Sequence, residues 1–523
     1  MIVVLNMGAI FMIILSLHPL SFIFLLTLFF FYITLTKFGE AHKYSHPSPP
    51  TFPFIGCLIS FYNNRHRLLD WYTQLLTHSP TNTILLQRFA SPRTIVTANP
   101  HNVEYILKTN FNNFPKGKPF TQVLGDFLGQ GIFNVDGQLW RKQRKLANHA
   151  FSVRSLKKFV MHTLEEEVRE RLLPMLEAIS NENKVVDLQE LLGRFSFNVI
   201  CRFALGTTNY RCCLDPSVPI SPLSKAFNLA AEVSARRGAA PLFMIWRIKR
   251  WLGAGSERLL KEAVREIQSH VMKIIEEKKQ KMNVMGKGEN ESGFEVEDLL
   301  SRFILAGHDE KLIRDMVISF IMAGRDTTSA AMTWFFWILS QSHCYHIEEK
   351  IVEETEIKAK GKLDYESLKE LSFLKACLCE SMRLYPPVAW DSKYANCDDV
   401  LPDGTVVKSG DRVTYFPYGM GRMETLWGKD WFEFRPDRWF VERNCEGMLS
   451  EVSQFKFPIF QAGPRVCLGK EMAFIQMKYV VASILRRFKI RIVAPDRPIF
   501  VPLLTAHMAG GLKVLLCKRD KLN

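Results

Sequence analysis

Residues 460–469 read Phe-Gln-Ala-Gly-Pro-Arg-Val-Cys-Leu-Gly, and this stretch decides how the fold is interpreted. It places one cysteine, Cys467, in a glycine-bounded loop directly before an amphipathic helix predicted over 470–485. A thiolate at a helix N-terminus is stabilised by the helix dipole and by free backbone N–H groups. We therefore expect Cys467 to have a lowered pKa and to be able to ligate iron.

The other residues of the loop fit the same interpretation. The glycine at position 463 predicts a backbone conformation that residues with a side chain rarely adopt. Gly469 leaves room for a flat macrocycle beside the chain. Arg465 is placed to pair with an acidic group on that macrocycle. The alternative, a buried structural cysteine in a Gly-Pro turn, is disfavoured because all the spaced positions match together. The loop resembles the haem-binding loop of the cytochrome P450 superfamily. This resemblance implies that Cys467 is the axial ligand of haem b (iron protoporphyrin IX) and that Phe460, Gly463, Arg465 and Gly469 contact the cofactor.

Composition narrows the remaining possibilities. The chain has 523 residues, of which 47% are hydrophobic, so a large core is available. Its eleven cysteines form no CxxC pair, which argues against a disulfide framework and against a zinc site. The formal charge of +15 suggests an anionic partner, yet the sequence contains no motif that indicates nucleic-acid binding. A membrane surface and an acidic protein partner explain the charge better.

The N-terminus predicts a membrane anchor. Residues 1–36 contain no Lys, Arg, Asp or Glu and are largely apolar, which is long enough for a bilayer span. A cleaved signal peptide would have a positive start and a shorter apolar core. The first positive charges, Lys37 and Lys43, follow the span and predict a cytosolic body. We expect an anchor over 1–36, a proline-rich hinge over 37–56 and a haem domain over 57–523, in the endoplasmic reticulum membrane.

The body of the chain has the pattern of a mainly α protein with small β-sheets, and the resemblance implies the cytochrome P450 fold in one large domain. Long helical patterns cover 156–179, 256–281 and 311–340. Short β-rich pieces occur at 83–96, around 392–407 and in the last thirty residues. The polar stretch 285–297 predicts an exposed loop between two helices.

A second motif, Ala323-Gly-Arg-Asp326-Thr327-Thr328, lies inside the predicted helix 311–340. A Thr hydroxyl can bond back to the carbonyl four residues earlier and bend or open a helix, which leaves a polar notch. The alternative is a threonine that is simply satisfied within its own helix. The match to the family's oxygen-activation motif implies that Thr327 handles dioxygen and that Asp326 controls proton delivery.

Two further motifs match the family. Glu380-x-x-Arg383 places both charges on one helix face, and Arg438 lies in a Phe-x-Pro-x-Arg run before the cysteine loop. In the family such residues form a buried Glu–Arg–Arg network that fixes the loop. Trp140 and Arg144, spaced i, i+4, match the positions that meet the haem propionates. The neighbouring lysines and arginines would form the patch that docks NADPH–cytochrome P450 reductase.

The resemblance also implies a reaction and a substrate class. The enzyme would use O2 and electrons from NADPH, delivered by the reductase, to oxidise a C–H bond. Segments such as 386–394 and 410–423 resemble a plant group of lipid terminal-carbon hydroxylases, whose members act on fatty acids, on jasmonoyl-isoleucine or on the terminal side-chain carbon (C-26) of a sterol. Lys116 or Lys118 is a candidate for a substrate carboxylate, against the alternative of a solvated loop lysine. The predicted substrate wall comprises Phe120, Phe127, Phe133, Phe320, Ala323, Val388, Leu504 and Thr505.

Two functions from other classes stay open. A haem-thiolate isomerase or dehydratase would rearrange a peroxide without a reductase, and the Asp326–Thr327 pair argues against it. A membrane-anchored haem sensor or electron carrier would need neither an oxygen notch nor a substrate pocket. NADPH consumption that depends on substrate would separate both from a monooxygenase.

Overall fold

The computed structural model describes residues 24, 26–29, 48–89, 91–206, 213–240, 242–285, 298–341, 344–359, 361–441, 448–493 and 498–519. Helices dominate these residues. Helices α1–α10 span Leu58–Asn63, Leu68–His78, Pro100–Glu104, Gly117–Leu128, Gly137–Asn148, Val153–Lys158, Leu173–Asn181, Leu188–Leu205, Pro222–Ala239 and Phe243–Leu252. Helices α11–α19 span Ser256–Met285, Leu299–Leu305, Glu310–Leu339, Tyr345–Ala359, Tyr365–Glu370, Ser372–Leu384, Pro417–Met420, Glu424–Trp427 and Lys470–Leu485.

The strands are short and form four small sheets. Strands β1–β11 span Thr83–Leu86, Thr94–Thr97, Val186–Asp187, Asp391–Tyr394, Asp399–Val400, Val406–Val407, Arg412–Tyr415, Phe488–Ile492, Phe500–Pro502, Ala506–Met508 and Lys513–Lys518. The largest sheet has the order β1-β2-β7-β4, and its β2–β7 pair is parallel. The other sheets are β3-β11-β8, β10-β9 and β5-β6.

Helix α13 lies at the centre of the helical core. Asp309 caps its start by accepting from two backbone N–H groups of the first turn, and most of its residues are buried. A helix that is apolar on nearly all sides must be surrounded by other elements. Helices α8, α16 and α19 pack against α13 and supply that cover. The large sheet has a second hydrophobic core, which it shares with α2.

The prediction of a mainly helical fold with small sheets is confirmed. The patterns over 256–281 and 311–340 correspond to α11 and α13. The pattern over 156–179 is helical but not uniform, because π-helical turns at Phe159–Leu164 and Glu167–Leu172 separate α6 from α7. Strand β7 was not predicted.

The expectation that 470–485 is an amphipathic helix is wrong in one respect. The helix forms as α19, but almost every residue after its first turn is buried. The cause is its position, since α13, α14 and α15 all pack against it. The predicted exposed loop 285–297 lies outside the described residues apart from Met285, which ends α11.

The predicted anchor, 1–36, lies outside the described residues except for Phe24 and 26–29. Within the described ranges, none of the helices combines the length and the apolar character needed to cross a membrane.

Candidate active site

The cysteine loop is held in place by its backbone. A short 3₁₀ turn, Gly463–Arg465, precedes it. Gly463 has a φ of 62°, and a Cβ there would collide with the carbonyl oxygen of Leu107, so this position accepts only glycine. The backbone N–H of Cys467 donates to the carbonyl of Phe460 at 2.8 Å. These contacts close the loop and direct the cysteine side chain inwards.

The Cys467 thiol faces an internal cavity of about 440 Å³. Its side chain is exposed, and the surface that it exposes is cavity wall. A Cβ on Gly469 would lie 4.0 Å from the sulfur and 3.7 Å from Phe151, so space stays open beside the thiol. Burial raises the pKa of Cys467, against opposing effects of the Gly469 N–H and the charges of Arg144 and Lys470. The expectation of a lowered pKa is therefore wrong for the chain alone. A metal cation bound to the sulfur would stabilise the thiolate and so favour loss of the proton.

A cluster of aromatic and cationic side chains lies beside the loop. Trp140 and Arg144 are one turn apart on α5, and both line the cavity. Arg144 donates to the carbonyl of Val466 at 2.7 Å and has no carboxylate partner within the described residues. The Arg465 guanidinium lies over the Trp140 ring at 4.6 Å and donates to Asp136 at 2.6 Å. The structure therefore brings the three predicted residues together at one end of the cavity.

The threonine motif on α13 also reaches the cavity. The Thr327 hydroxyl donates to the carbonyl of Ala323 at 2.6 Å, and both residues line the cavity. The α-helix continues through this point without a break. Gly324 has a packing role, because a Cβ there would collide with Ile200 of α8. The expected back-bond is thus present, and the helix does not open.

Asp326 is set back from the cavity. Its carboxylate lies 3.1 Å from Nε of Arg325, which is buried and donates to Asn228. Thr328 lines the cavity, whereas Arg325 and Asp326 do not. The carboxylate is therefore adjacent in sequence to the cavity wall and is held by a buried arginine.

The predicted Glu–Arg–Arg network is present and fully enclosed. Glu380 and Arg383 have no exposed surface. The Glu380 carboxylate accepts five hydrogen bonds of 2.8–3.0 Å, from Arg383 Nε and Nη2, Arg438 Nε, Trp439 Nε1 and the Arg435 backbone N–H. Trp439, next to Arg438 in the chain, thus joins the network as a donor.

Most of the predicted substrate wall lines the cavity. The residues that do so are Phe120, Phe133, Phe320, Ala323, Val388, Leu504 and Thr505. Phe127 does not line the cavity, so the prediction that it belongs to the substrate wall is wrong. It lies in the last turn of α4, and its buried ring packs edge-on against Phe227 at 5.8 Å.

The two candidate lysines behave differently from each other. Lys118 is exposed, as a solvated lysine should be. Lys116 is only 4% exposed, lines the cavity and pairs with Asp391 at 2.5 Å. Lys393 also bonds to Asp391, at 3.1 Å. The alternative of a solvated loop lysine is therefore wrong for Lys116, which already has a carboxylate partner.

Sequence reasoning missed part of the cavity wall. Arg88, Tyr72 and Arg412 line the cavity from the side of the large sheet, and Ser234 and Gly238 line it from α9. A signal for Arg412 existed, because residues 412–415 alternate polar and apolar side chains, which places Arg412 and Thr414 on one face of a strand.

The chain is similar to known proteins over most of its length. A family model described as cytochrome P450 matches residues 47–506. Cytochrome P450 94B1 of Arabidopsis thaliana is 56% identical over 489 residues, covering 93% of this chain and 94% of the relative. Cytochrome P450 94A1 of Vicia sativa is 46% identical over 481 residues, covering 90% and 91%. Cytochrome P450 CYP94D109 of Paris polyphylla is 40% identical over 514 residues, covering 94% and 97%.

Proposed function

The chain belongs to the cytochrome P450 family, and we propose on that basis that it hydroxylates the terminal carbon of an apolar lipid chain. As a member of the family it is a monooxygenase that uses haem and takes electrons from NADPH through a reductase. The observation that carries the lipid proposal is the cavity, which has Cys467 at one end and a largely aromatic and aliphatic wall.

The residues around Cys467 fit haem. The thiol faces open space beside Gly469, and Arg144 is a cavity-lining cation without a carboxylate partner in the described part of the chain. We infer that Cys467 is the iron ligand and that Trp140, Arg144 and Arg465 hold the propionates. Phe460, Gly463 and Gly469 shape the loop. When bound, haem supplies the chemistry of O2 activation and C–H oxidation.

The protein contributes order and proton control. Glu380, Arg383 and Arg438 fix the segment that leads into the cysteine loop and do not touch the cavity. The Thr327 hydroxyl holds a proton at the cavity wall, at Oγ1. Asp326, the adjacent carboxylate, would supply protons to that site from the protein side. These assignments extend the family resemblance to the geometry of this chain.

A cavity that selects a terminal methyl group must exclude the weaker internal C–H bonds. Phe120, Phe133 and Phe320 are large rings on three different segments of the wall. The core behind these aromatic rings fixes their positions. The space between them would therefore be narrow. Val388 and Leu504 add aliphatic side chains to the same wall. Such a wall would admit the tip of a chain and keep its flanks away from the reactive centre.

We also propose that the enzyme acts at the endoplasmic reticulum membrane, with 1–36 as anchor, 37–56 as hinge and 57–523 as the haem domain. Helix α10 supports membrane contact, because apolar side chains on it are exposed: Met244, Ile245, Ile248, Trp251 and Leu252. Trp251 is 85% exposed. Lys249 on the same helix suits an anionic lipid surface, whereas Arg250 pairs with Asp126 at 2.8 Å. The basic face of α5 would meet the reductase.

Ligand binding to the protein in microsomes tests the proposal. We would record the substrate-induced Soret shift for a fatty acid, jasmonoyl-isoleucine and a side-chain-hydroxylated sterol. A high-spin shift with any of them, together with NADPH consumption that depends on that ligand, supports a lipid monooxygenase. A shift with the sterol alone would favour the second candidate, a sterol side-chain oxidase. NADPH consumption that no lipid changes would favour the isomerase or sensor classes.

A further inference from the structure

The cavity carries an excess of positive charge. Within the described residues its lining has five cationic side chains and one carboxylate: Arg88, Lys116, Arg144, Arg412, Arg465 and Asp391. Buried charges need partners, because an unpaired charge in a poorly hydrated site is costly. Haem adds two carboxylates. Together with Asp391 they balance three of the five cations, so two positive charges are left for a second anionic ligand.

Three of the cations belong to the cysteine end. Arg465 pairs with Asp136 at 2.6 Å, and Lys116 pairs with Asp391 at 2.5 Å. Arg144 bonds to the backbone of the cysteine loop. These three are accounted for by the protein or by the haem that they flank.

Arg88 and Arg412 form a separate pair on the large sheet. Neighbouring strands present alternate residues to the cavity, as the period of two in a strand requires: Thr94 and Val96 of β2, Arg412 and Thr414 of β7, and Ser392 of β4. Arg412 is the register partner of Thr94. Arg88 follows β1, the next strand along.

Neither arginine has an acidic partner in the described ranges. Arg88 donates to the carbonyl of Ala240 at 3.4 Å and lies over the Phe61 ring at 4.3 Å. The Arg412 side chain donates no hydrogen bond to any described residue. Asp411, the nearest acid in sequence, is bound to Arg93.

The electrostatics agree with this geometry. Burial lowers the pKa of Arg412, and the charge of Arg88 lowers it further. Tyr72 lines the same part of the cavity, and burial raises its pKa to about 12, so it keeps its O–H proton at neutral pH. Within the described residues the Arg412 guanidinium and the Tyr72 O–H have no acceptor, and the Arg88 guanidinium has only the Ala240 carbonyl at 3.4 Å. A carboxylate would complete this set of donors.

We propose that Arg88 and Arg412 bind the carboxylate of an acyl substrate whose apolar chain extends towards Cys467. The inference rests on the proposed function and names its substrate class as a carboxylic acid with a terminal alkyl group. A sterol is disfavoured because its hydroxyl groups carry no charge to offset two arginines. The pair holds the head of the substrate, and the aromatic wall selects its tail.

Equilibrium binding to the purified full-length enzyme tests the proposal. Dodecanoic acid and methyl dodecanoate have the same chain, and only the acid is charged. We would titrate both, and a side-chain-hydroxylated sterol, into wild type, Arg412→Gln, Arg88→Gln and Lys118→Gln, following the Soret shift. Lys118→Gln is the matched control, since this lysine is exposed. The reduced-CO spectrum and the ligand-free melting temperature report folding.

We expect Arg412→Gln and Arg88→Gln each to weaken binding of the acid by about 10- to 100-fold and to change binding of the ester by less than about threefold. Lys118→Gln should change neither. Because Arg412 is unpaired, its replacement should not lower the melting temperature of the ligand-free enzyme, as loss of a structural contact would. Arg412→Lys, which keeps the charge, should recover part of the affinity for the acid.

Equal loss of acid and ester, or unchanged binding of the acid, would overturn the inference. Should a glutamine variant fail to fold, wild type alone decides, because preference for the ester over the acid also overturns it. Turnover separates the two levels. If wild type oxidises the ester or the sterol at the terminal carbon and leaves the acid untouched, the inference is wrong and the proposed function stands. If it oxidises none of them, both are wrong.

Discussion

Replacing Glu380 by Gln should destabilise the protein severely while preserving the shape of the side chain. Glu380 is fully buried between Arg383 and Arg438, so the buried trio carries a net charge of about +1. The amide would leave Arg383 without a counter-charge and Arg438 with only the Asp430 carboxylate, 3.6 Å away. Removing one partner of a buried pair typically costs about 3–5 kcal/mol.

The hydrogen bonds lead to the same magnitude. Oε2 of Glu380 accepts from Arg383 and Trp439, and Oε1 accepts from Arg383, Arg438 and the Arg435 backbone. A glutamine NH2 in either orientation therefore points at two or more N–H donors. Each buried donor left unsatisfied costs about 1–3 kcal/mol, so two of them give about 2–6 kcal/mol, a range that contains the first estimate.

The assay is urea unfolding followed by circular dichroism, together with the fraction of protein that retains the reduced-CO absorption band. Asp437→Asn is the matched control. Asp437 lies in the same segment and pairs with Arg435, whose side chain is 39% exposed, so its loss should cost less than about 1 kcal/mol. If Glu380→Gln is within 1 kcal/mol of wild type, or equals Asp437→Asn, the buried network does not stabilise the loop and the reasoning is refuted.

Three further predictions use matched pairs or a single variant. Gly463→Ala should cost at least about 1–3 kcal/mol of unfolding free energy and reduce haem retention. Gly137→Ala, which has nearly the same φ but no neighbour within 4 Å, should cost about 1 kcal/mol. Equal losses would show that the predicted collision at Gly463 does not affect stability. Thr327→Val should lower product per NADPH by about 10²-fold, and Thr333→Val, which removes a similar back-bond outside the cavity, should not. Burial lowers the pKa of Lys478 from 10.5 to about 8, so between those pH values the unfolded chain binds a proton that the folded chain lacks, and stability rises with pH. Lys478→Met should lack that rise, by up to about 3 kcal/mol between pH 7 and 10.5; parallel pH profiles would contradict this.

Local constraints were the part of the site that the sequence predicted well. Gly463 needed only its own backbone conformation, and the back-bond of Thr327 spans a single helical turn. The pairing of Glu380 with Arg383 follows from a spacing of three on one helix. Each of these depends on neighbours in the chain, so the pattern of residues predicts it without knowledge of the tertiary fold.

Long-range packing explains the errors. Lys116 is buried and pairs with Asp391, which lies 275 positions away in the chain. Phe127 turns out of the cavity because α9 places Phe227 beside it. The pKa of Cys467 is raised because the surrounding fold encloses the thiol, and this effect outweighs the lowering by the Gly469 backbone N–H. Periodicity within a segment reports which residues share a face, and it does not report what that face meets.

The position of oxidation in an acyl substrate is the measurement that decides whether this protein is a terminal-carbon hydroxylase. We would incubate microsomes containing the enzyme and NADPH–cytochrome P450 reductase with dodecanoic acid, with and without NADPH, and determine which carbon carries the new hydroxyl group. We expect an NADPH-dependent product hydroxylated at the terminal carbon. Hydroxylation mainly at internal carbons, or a product that forms without NADPH, would contradict it.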